Sequence, residues 1–274
     1  DVLEYAADMD GNFTQSLRYI PLEMHHATAP STTIFNSAHP IIASGIPLRG
    51  VVGCFISNEL VDSFPVHRFQ VDQGILKEVY VTLDEQNRFT EVLDVPSTPL
   101  LAERLNHLDL ALPEGFRGEI NLKVRPWVKE MSEALQRGFV VTIDYGYDAR
   151  ELYSSKRAMG TLQTYYRHTQ SDSPYQRVGR QDMTAHVDFS LIKSEGEVFG
   201  LRSLGLMSQA SFLRELGFEY MLGNVRAKNL GQAERNRNLM AMRELVKPGG
   251  LGGFNVLIQE KDTGVEGLSE LLID

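Results

Sequence analysis

The chain has 274 residues, 42% of them hydrophobic, and its 27 Lys and Arg against 36 Asp and Glu give a formal charge of −9. That balance argues against nonspecific nucleic-acid binding, which needs clustered cations for phosphate; it suits a cationic partner such as an arginine- or lysine-bearing polypeptide. Cys54 is the only cysteine, which excludes an internal disulfide, disfavours a thiolate metal site and fits a reducing compartment.

Taken in order, Val2, Leu3, Tyr5 and Ala6 suit one face of a helix ending near Asp10-Gly11. Leu17 to Glu23 reads as a short strand ending in an acid, although Pro21 is poor in a central strand. The run Val51 to Ser57 has the length of a strand buried on both faces of a parallel sheet, and it stops abruptly at Asn58-Glu59. Ligands of open α/β sheets bind beyond the carboxyl ends of strands, so these two side chains are site candidates. Glu78–Leu83 and Arg88–Leu93 flank the polar turn Asp84–Asn87, the pattern of an antiparallel hairpin. A helix is expected from Leu100 to Leu112, closed by Pro113. Pro126 is expected to open another, with Trp127, Val128, Met131 and Leu135 on one stripe and Gly138 as its stop.

That helix leads into a second buried strand, Phe139 to Asp144, which delivers Asp144 and Tyr145 to the same sheet edge as Asn58. Arg150 to Gln181 shows no periodicity and is expected to be a long irregular loop. Ser208 caps a helix ended by Gly217, Ala233–Val246 forms another, and Phe254–Ile258 is a closing strand.

Several of these segments resemble one family in order. Ser57 to Phe69 is similar to a signature NELxDAxPVHRF, and Ile143 to Tyr147 to a DYG strand end. Gly160-Thr161-Leu162 with Tyr165 and His168 is similar to GTLxxYxxH, Gly179 to Phe189 to GxQDxTAHVDF, and Gln209 to Gly217 to QxxFLxxLG. The chain is thereby identified as a member of the MidA-like branch of class I S-adenosylmethionine-dependent methyltransferases. This branch includes a mitochondrial complex I assembly factor that methylates protein arginine. The resemblance covers nearly the whole chain. The family's ExGxGxG loop is absent from it, so a Rossmann-like α/β fold lacking its first strand and glycine-rich loop is expected, with further sequence upstream. The domain expectation is a single methyltransferase domain over 1–274, with a hairpin-plus-helix insertion at 70–125 and a substrate-side insertion at 148–205.

What the resemblance implies is methyl transfer from S-adenosylmethionine to a protein arginine nitrogen, on a respiratory complex I subunit in a mitochondrial member. The compartment would be the mitochondrial matrix in a eukaryote and the cytoplasm in a bacterium. Two alternatives stand beside it: an assembly or binding protein that keeps the fold without catalysis, and a methyltransferase for another nitrogen acceptor.

A guanidinium is charged and planar, and a carboxylate can hold it by paired hydrogen bonds. Asn58, Glu59, Asp62, Asp144 and Tyr145 are the catalytic candidates; Asp62 would lie one helical turn from Asn58 and Glu59. An acid or amide directly after a strand also commonly satisfies backbone donors, the simpler role for Asn58 and Glu59. Glu23, with Ser57 and Asn58, would bind the cofactor, Glu23 through the ribose hydroxyls. Gln181, Asp182, Thr184 and His186 would contact substrate; a histidine there can also relay a proton or simply pair with a neighbouring acid. No metal site is expected, His25, His26 and His39 lacking a convincing ligand set. Cys54 is expected in the core.

Overall fold

The computed structural model describes residues 45–167, 169–171 and 173–268, together with the backbone of Leu22–Glu23 and Ile41–Ile42. Its contacts divide the chain into two compact units, Asp1–Arg49 and Gly50–Asp274. In the first, β1 (Leu22–Glu23) runs parallel to β2 (Ile41–Ile42), with Glu23 opposite Ile42. The expected first helix, the side chain of Glu23 and the histidines at 25, 26 and 39 lie outside the described residues.

The second unit is built from two four-stranded sheets. It opens with β3 (Val51–Asn58), whose end turns through a 3-10 segment at Val61–Ser63. Next come β4 (His67–Asp72), β5 (Ile75–Leu83), β6 (Phe89–Asp94), α1 (Leu100–His107) and β7 (Arg117–Ile120). These four strands form an antiparallel sheet in the order β6-β5-β4-β7. Thus the expected hairpin is present as β5 and β6, inside a larger sheet. Phe69, Phe116 and Ile120 on this sheet pack against Leu101 and Leu105 of α1 and against Leu152 and Tyr153 in a continuous apolar core. Burying one such side chain stabilises by roughly 1.5–3 kcal/mol. α1 ends five residues before the expected Leu112, because Asp109 takes a positive φ of 48° and turns the chain.

The α/β core follows. α2 (Val124–Ala134) buries Trp127, Val128 and Met131 of the stripe expected of it, while Leu135, the fourth, begins the next strand. Pro126 sits in its first turn, two residues inside the start, where amide hydrogens have no partner within the helix. β8 (Leu135–Asp144) then runs parallel to β3, placing Asn58 opposite Ile143. Gly138 is not a helix stop; it lies inside β8 with φ 140°, where a Cβ would come 1.8 Å from the Gly53 carbonyl oxygen. After β9 (Gly146–Tyr147) and α3 (Ala149–Leu152), the stretch expected to be irregular instead makes a small antiparallel sheet. Its strands are β10 (Gln163–Tyr166), β11 (Thr169–Ser171) and β12 (Asp182–Thr184).

β13 (Val187–Asp188) pairs with β9 and leads into α4 (Phe189–Val198), which packs on α2. β14 (Arg202–Ser208) ends at Ser208, the cap expected for α5 (Gln209–Glu215), where its side chain accepts from the Ser211 amide. Gly217, at φ 85°, separates α5 from α6 (Phe218–Ala227). α7 (Gln232–Leu245) precedes β15 (Asn255–Lys261). The core sheet has the order β14-β15-β8-β3, with β15 antiparallel to both neighbours.

One expectation is overturned here. β3 is not buried on both faces: among the described residues it is an edge strand, with Val52 60% and Ile56 69% exposed. Cys54 lies exposed on this strand instead of in the core. The strand has a described neighbour only on its β8 side, and β15 takes the central position with Val256, Leu257 and Ile258 buried.

Candidate active site

The carboxyl ends of β3 and β8 lie side by side because the two strands run parallel in register. Glu59 leaves β3 with a positive φ of 48°, while its amide still donates to the Ile143 carbonyl at 3.0 Å. A left-handed conformation is costly for a residue with a Cβ and tends to cluster at functional sites. Both Asn58 and Glu59 are exposed, and Asn58 Nδ2 donates to Glu59 Oε1 at 3.2 Å.

The 3-10 segment that follows is fastened from beneath by Asp144. This carboxylate is fully buried; Oδ2 accepts from the amides of Val61 at 3.0 Å and Asp62 at 3.3 Å, and Oδ1 from the Tyr145 amide at 2.9 Å. Burial, reinforced by the charge of Asp62, pushes its pKa up to about 7 against these hydrogen bonds. Asp144 therefore holds the turn; both of its oxygens are already engaged.

Asp62 is the group the turn presents. It is buried, Oδ2 accepts a hydrogen bond from the Tyr145 hydroxyl, and Oδ1 has no partner among the described residues. Burial raises its pKa, the bond from Tyr145 opposes that, and the nearby charge of Glu59 adds to the rise. Tyr145 packs edge-on to His186 at 5.4 Å between ring centroids and tilts against Phe254 at 5.3 Å. Burial and the bond to Asp62 push the Tyr145 hydroxyl pKa well above its ordinary value, so it stays a donor.

β12 packs beside the same turn, and the Ala185 amide donates to the Asp62 carbonyl at 3.0 Å. Thr184 Oγ1 and His186 Nδ1 are buried without partners among the described residues. Burial and the Arg157 charge both lower the pKa of His186, which favours the neutral ring.

The structure thus gathers Asp62, Asp144, Tyr145, Thr184 and His186 at one end of the sheet, with Asn58 and Glu59 on its lip. Gln181 and Asp182 stand apart from this group. Gln181 Nε2 donates to the carbonyls of Ser173 at 3.2 Å and Pro174 at 3.0 Å, bracing its own loop, and Asp182 is exposed on β12. Sequence reasoning missed Tyr147 and Lys156 as wall residues. Tyr147 packs on His186 at 5.4 Å and carries the Arg157 guanidinium 3.4 Å above its ring centroid. The tyrosine directly after the DYG strand end was the available signal.

Ser57 Oγ is buried without a partner among the described residues, and beside it Asn58 offers an exposed carboxamide. A buried, unpartnered hydroxyl beside an exposed carboxamide at a strand end fits the edge of a nucleoside donor. No described helix is long and apolar enough to cross a membrane, and no described group of three or more His, Cys, Asp or Glu could hold a metal ion.

Residues 1–207 match the family described as "Putative S-adenosyl-L-methionine-dependent methyltransferase". The chain belongs to this methyltransferase family. It is 27% identical over 224 residues to the mouse mitochondrial protein arginine methyltransferase NDUFAF7, covering 77% of this chain and 43% of that protein. The bovine protein of the same name is 29% identical over 215 residues, 74% of this chain and 44% of its own length. The methyltransferase chain spans about half the length of the curated relatives it matches. A crystal structure from Burkholderia thailandensis, bound to S-adenosyl-homocysteine, superposes with a TM-score of 0.71 at 29% identity, covering 81% of this chain and 56% of that one. A native structure from the same organism also gives 0.71, at 27% identity, covering 81% and 58%. The fold is that of a class I methyltransferase.

Proposed function

We propose that the protein transfers a methyl group from S-adenosylmethionine to an arginine nitrogen of a polypeptide. The observation that carries this reading is Asp62, a buried carboxylate tied to Tyr145 through one oxygen and unpartnered at the other. When bound, the donor supplies an electrophilic methyl group on a sulfonium. The task of the chain's own residues is to present the acceptor nitrogen in line with it.

An arginine side chain brings five N–H donors in a fixed fork and a charge that persists at any physiological pH. Asp62 Oδ1 is an acceptor that a guanidinium N–H would satisfy, removing the roughly 1–3 kcal/mol that an unpaired buried polar group costs. Glu59 supplies a second carboxylate on the exposed lip and Asn58 a carboxamide that steers it. As the nitrogen gains its methyl group it must lose a proton. Asp62, whose proton affinity is raised by burial, receives it, and Tyr145 holds the carboxylate in place. Asp144 serves as the fixed base of the turn. Thr184 and His186 line the acceptor side, and Ser57 and Asn58 the donor side.

A respiratory complex I subunit is the first candidate acceptor in a mitochondrial setting. The chain as a whole acts, in this reading, as a single methyltransferase domain carrying inserted sheets. The full gene product, given methyl-labelled S-adenosylmethionine and paired peptides with arginine or lysine at one position, is expected to label only the arginine peptide on its side chain. Equal labelling of lysine, or label on another nitrogen, would refute the assignment.

A further inference from the structure

Beside the His186 ring, which packs on Tyr145, the chain forms a cleft of about 310 Å3. Its walls include Lys156, Arg157, Gly160, Thr161, Gln163 and His186; the carboxylate behind them, Glu119, is buried and taken up by the Thr161 amide at 2.7 Å and hydroxyl at 3.0 Å. Within a protein of net charge −9, and next to the carboxylates of Glu59, Asp62 and Asp144, this is a local reversal of sign. Arg157 is held as part of the wall. It lies over Tyr147 and donates to the Glu151 carbonyl at 2.9 Å and to Glu151 Oε1 at 3.3 Å, yet its charge still lowers the His186 pKa. Lys156 is different: it is exposed and makes no bond to a described residue. The amide of His186 is tied to Thr161 Oγ1 at 3.1 Å, which leaves its buried ring Nδ1 as a further unpartnered polar atom at the cleft.

An acidic end and a basic cleft separated by one aromatic layer fit a ligand that is itself bipolar. We propose that the Lys156 cleft is a subsite for a carboxylate side chain on the acceptor polypeptide, close in sequence to the arginine placed at Asp62. The inference rests on the arginine reading for the second half of that statement. Asp62 is bonded to Tyr145, and the Tyr145 ring packs on His186 at 5.4 Å between centroids, so His186 joins the cleft to the Asp62 group. Side chains two positions apart on an extended strand lie about 7 Å from each other on the same face. In the proposal, an aspartate or glutamate about two positions from the arginine meets Lys156 while the guanidinium meets Asp62. Selection is by charge: Lys156 attracts the acid, whereas a lysine or arginine at that position meets Lys156 and Arg157 with like sign.

The test uses fluorescein-labelled peptides and anisotropy at low ionic strength, with the full gene product and its Lys156→Gln and Lys156→Glu variants. One peptide carries arginine with glutamate two positions away; a second has glutamine in place of the glutamate; a third keeps the glutamate and replaces arginine by citrulline. The glutamate peptide is expected to bind the parent protein roughly two- to five-fold more tightly than the glutamine peptide, the range of a solvent-exposed ion pair. Lys156→Gln is expected to remove that preference and Lys156→Glu to reverse it. Absence of the preference in the parent, or its persistence in Lys156→Glu, would overturn the subsite. Should the citrulline peptide bind as well as the arginine peptide while the glutamate preference still follows Lys156, the carboxylate subsite stands and the arginine assignment fails.

Discussion

Asp62 and Asp144 are both buried acids at the ends of neighbouring elements, but their surroundings give them different work. Asp144 accepts from three backbone amides, so removing it strands three buried donors at once. Asp144→Ala is expected to lower stability by roughly 3 kcal/mol or more in urea titrations; an unchanged midpoint would contradict its anchoring role. Asp62 keeps a free oxygen, and its only described side-chain partner is the Tyr145 hydroxyl. That bond lowers the Asp62 pKa against the effect of burial, so Tyr145→Phe removes a stabiliser of the ionised acid. The acid limb of the methylation rate, which follows Asp62 ionisation, is expected to move to higher pH in this variant. An unmoved limb would remove the pair from the proton path. Sequence alone placed both residues at the site, but it linked Asp62 only to Asn58 and Glu59 on one helical turn. The tyrosine that shapes its chemistry lies 83 residues away and is brought near by strand register, which spacing along the chain does not encode.

At the scale of elements, the close approach of β3 and β8 is what delivers both polar ends to one place. Gly138 makes that approach possible, since any Cβ there collides with the backbone of Gly53. Gly138→Ala is expected to cost roughly 3 kcal/mol and to broaden thermal unfolding, measured by calorimetry; a neutral result would mean the two strands separate freely. The same glycine shows the limit of local reading. Gly after a helical stripe commonly ends a helix, and nothing nearby announces that Leu135 already begins a strand. Apolar runs such as Val51–Ser57 and Phe139–Ile143 were legible as strands because four to eight consecutive apolar residues suit little else at that length. Whether such a run is central or at an edge depends on its neighbours, which is why β3 was misjudged. The helix α2 and the cap at Ser208 were legible because periodicity and capping are local signals. The small sheet β10–β12 was not: its strands are three or four residues long and mostly polar, and they pair across loops.

For the whole molecule, the antiparallel sheet carries an ionic cluster that reaches Tyr175. Glu91 accepts from Arg68 and from Arg117, the latter at 2.7 Å, and from Tyr175 at 2.8 Å. Burial alone would raise its pKa, but these partners outweigh it and bring it down to about 2. Glu78 is likewise brought to about 2: the Ser97 amide, His67 and Tyr80 overcome the effect of burial. A depressed carboxylate stabilises the folded state above its unfolded pKa, and that contribution is lost as pH falls through the folded value. Between pH 4.5 and 2, therefore, stability is expected to drop, and Glu91→Gln is expected to make the drop shallower in urea titrations across that window. An equally steep loss in the variant would show that the cluster does not govern acid unfolding. Asp144 acts with opposite sign: its stabilising share is present below the unfolded value of 3.8 and is lost as pH rises through about 7.

All of this converges on carboxylates held at the strand ends to grip a cationic acceptor beside a sulfonium donor. The most direct check is the single-turnover methylation rate of Glu59→Gln in the full gene product, with donor affinity measured on the same sample by calorimetry. The expected result is a rate lowered roughly 100-fold, as for loss of one positioned charge at a transition state, with donor affinity nearly intact. A variant that methylates arginine at the parent rate would contradict the proposed role of the lip carboxylate.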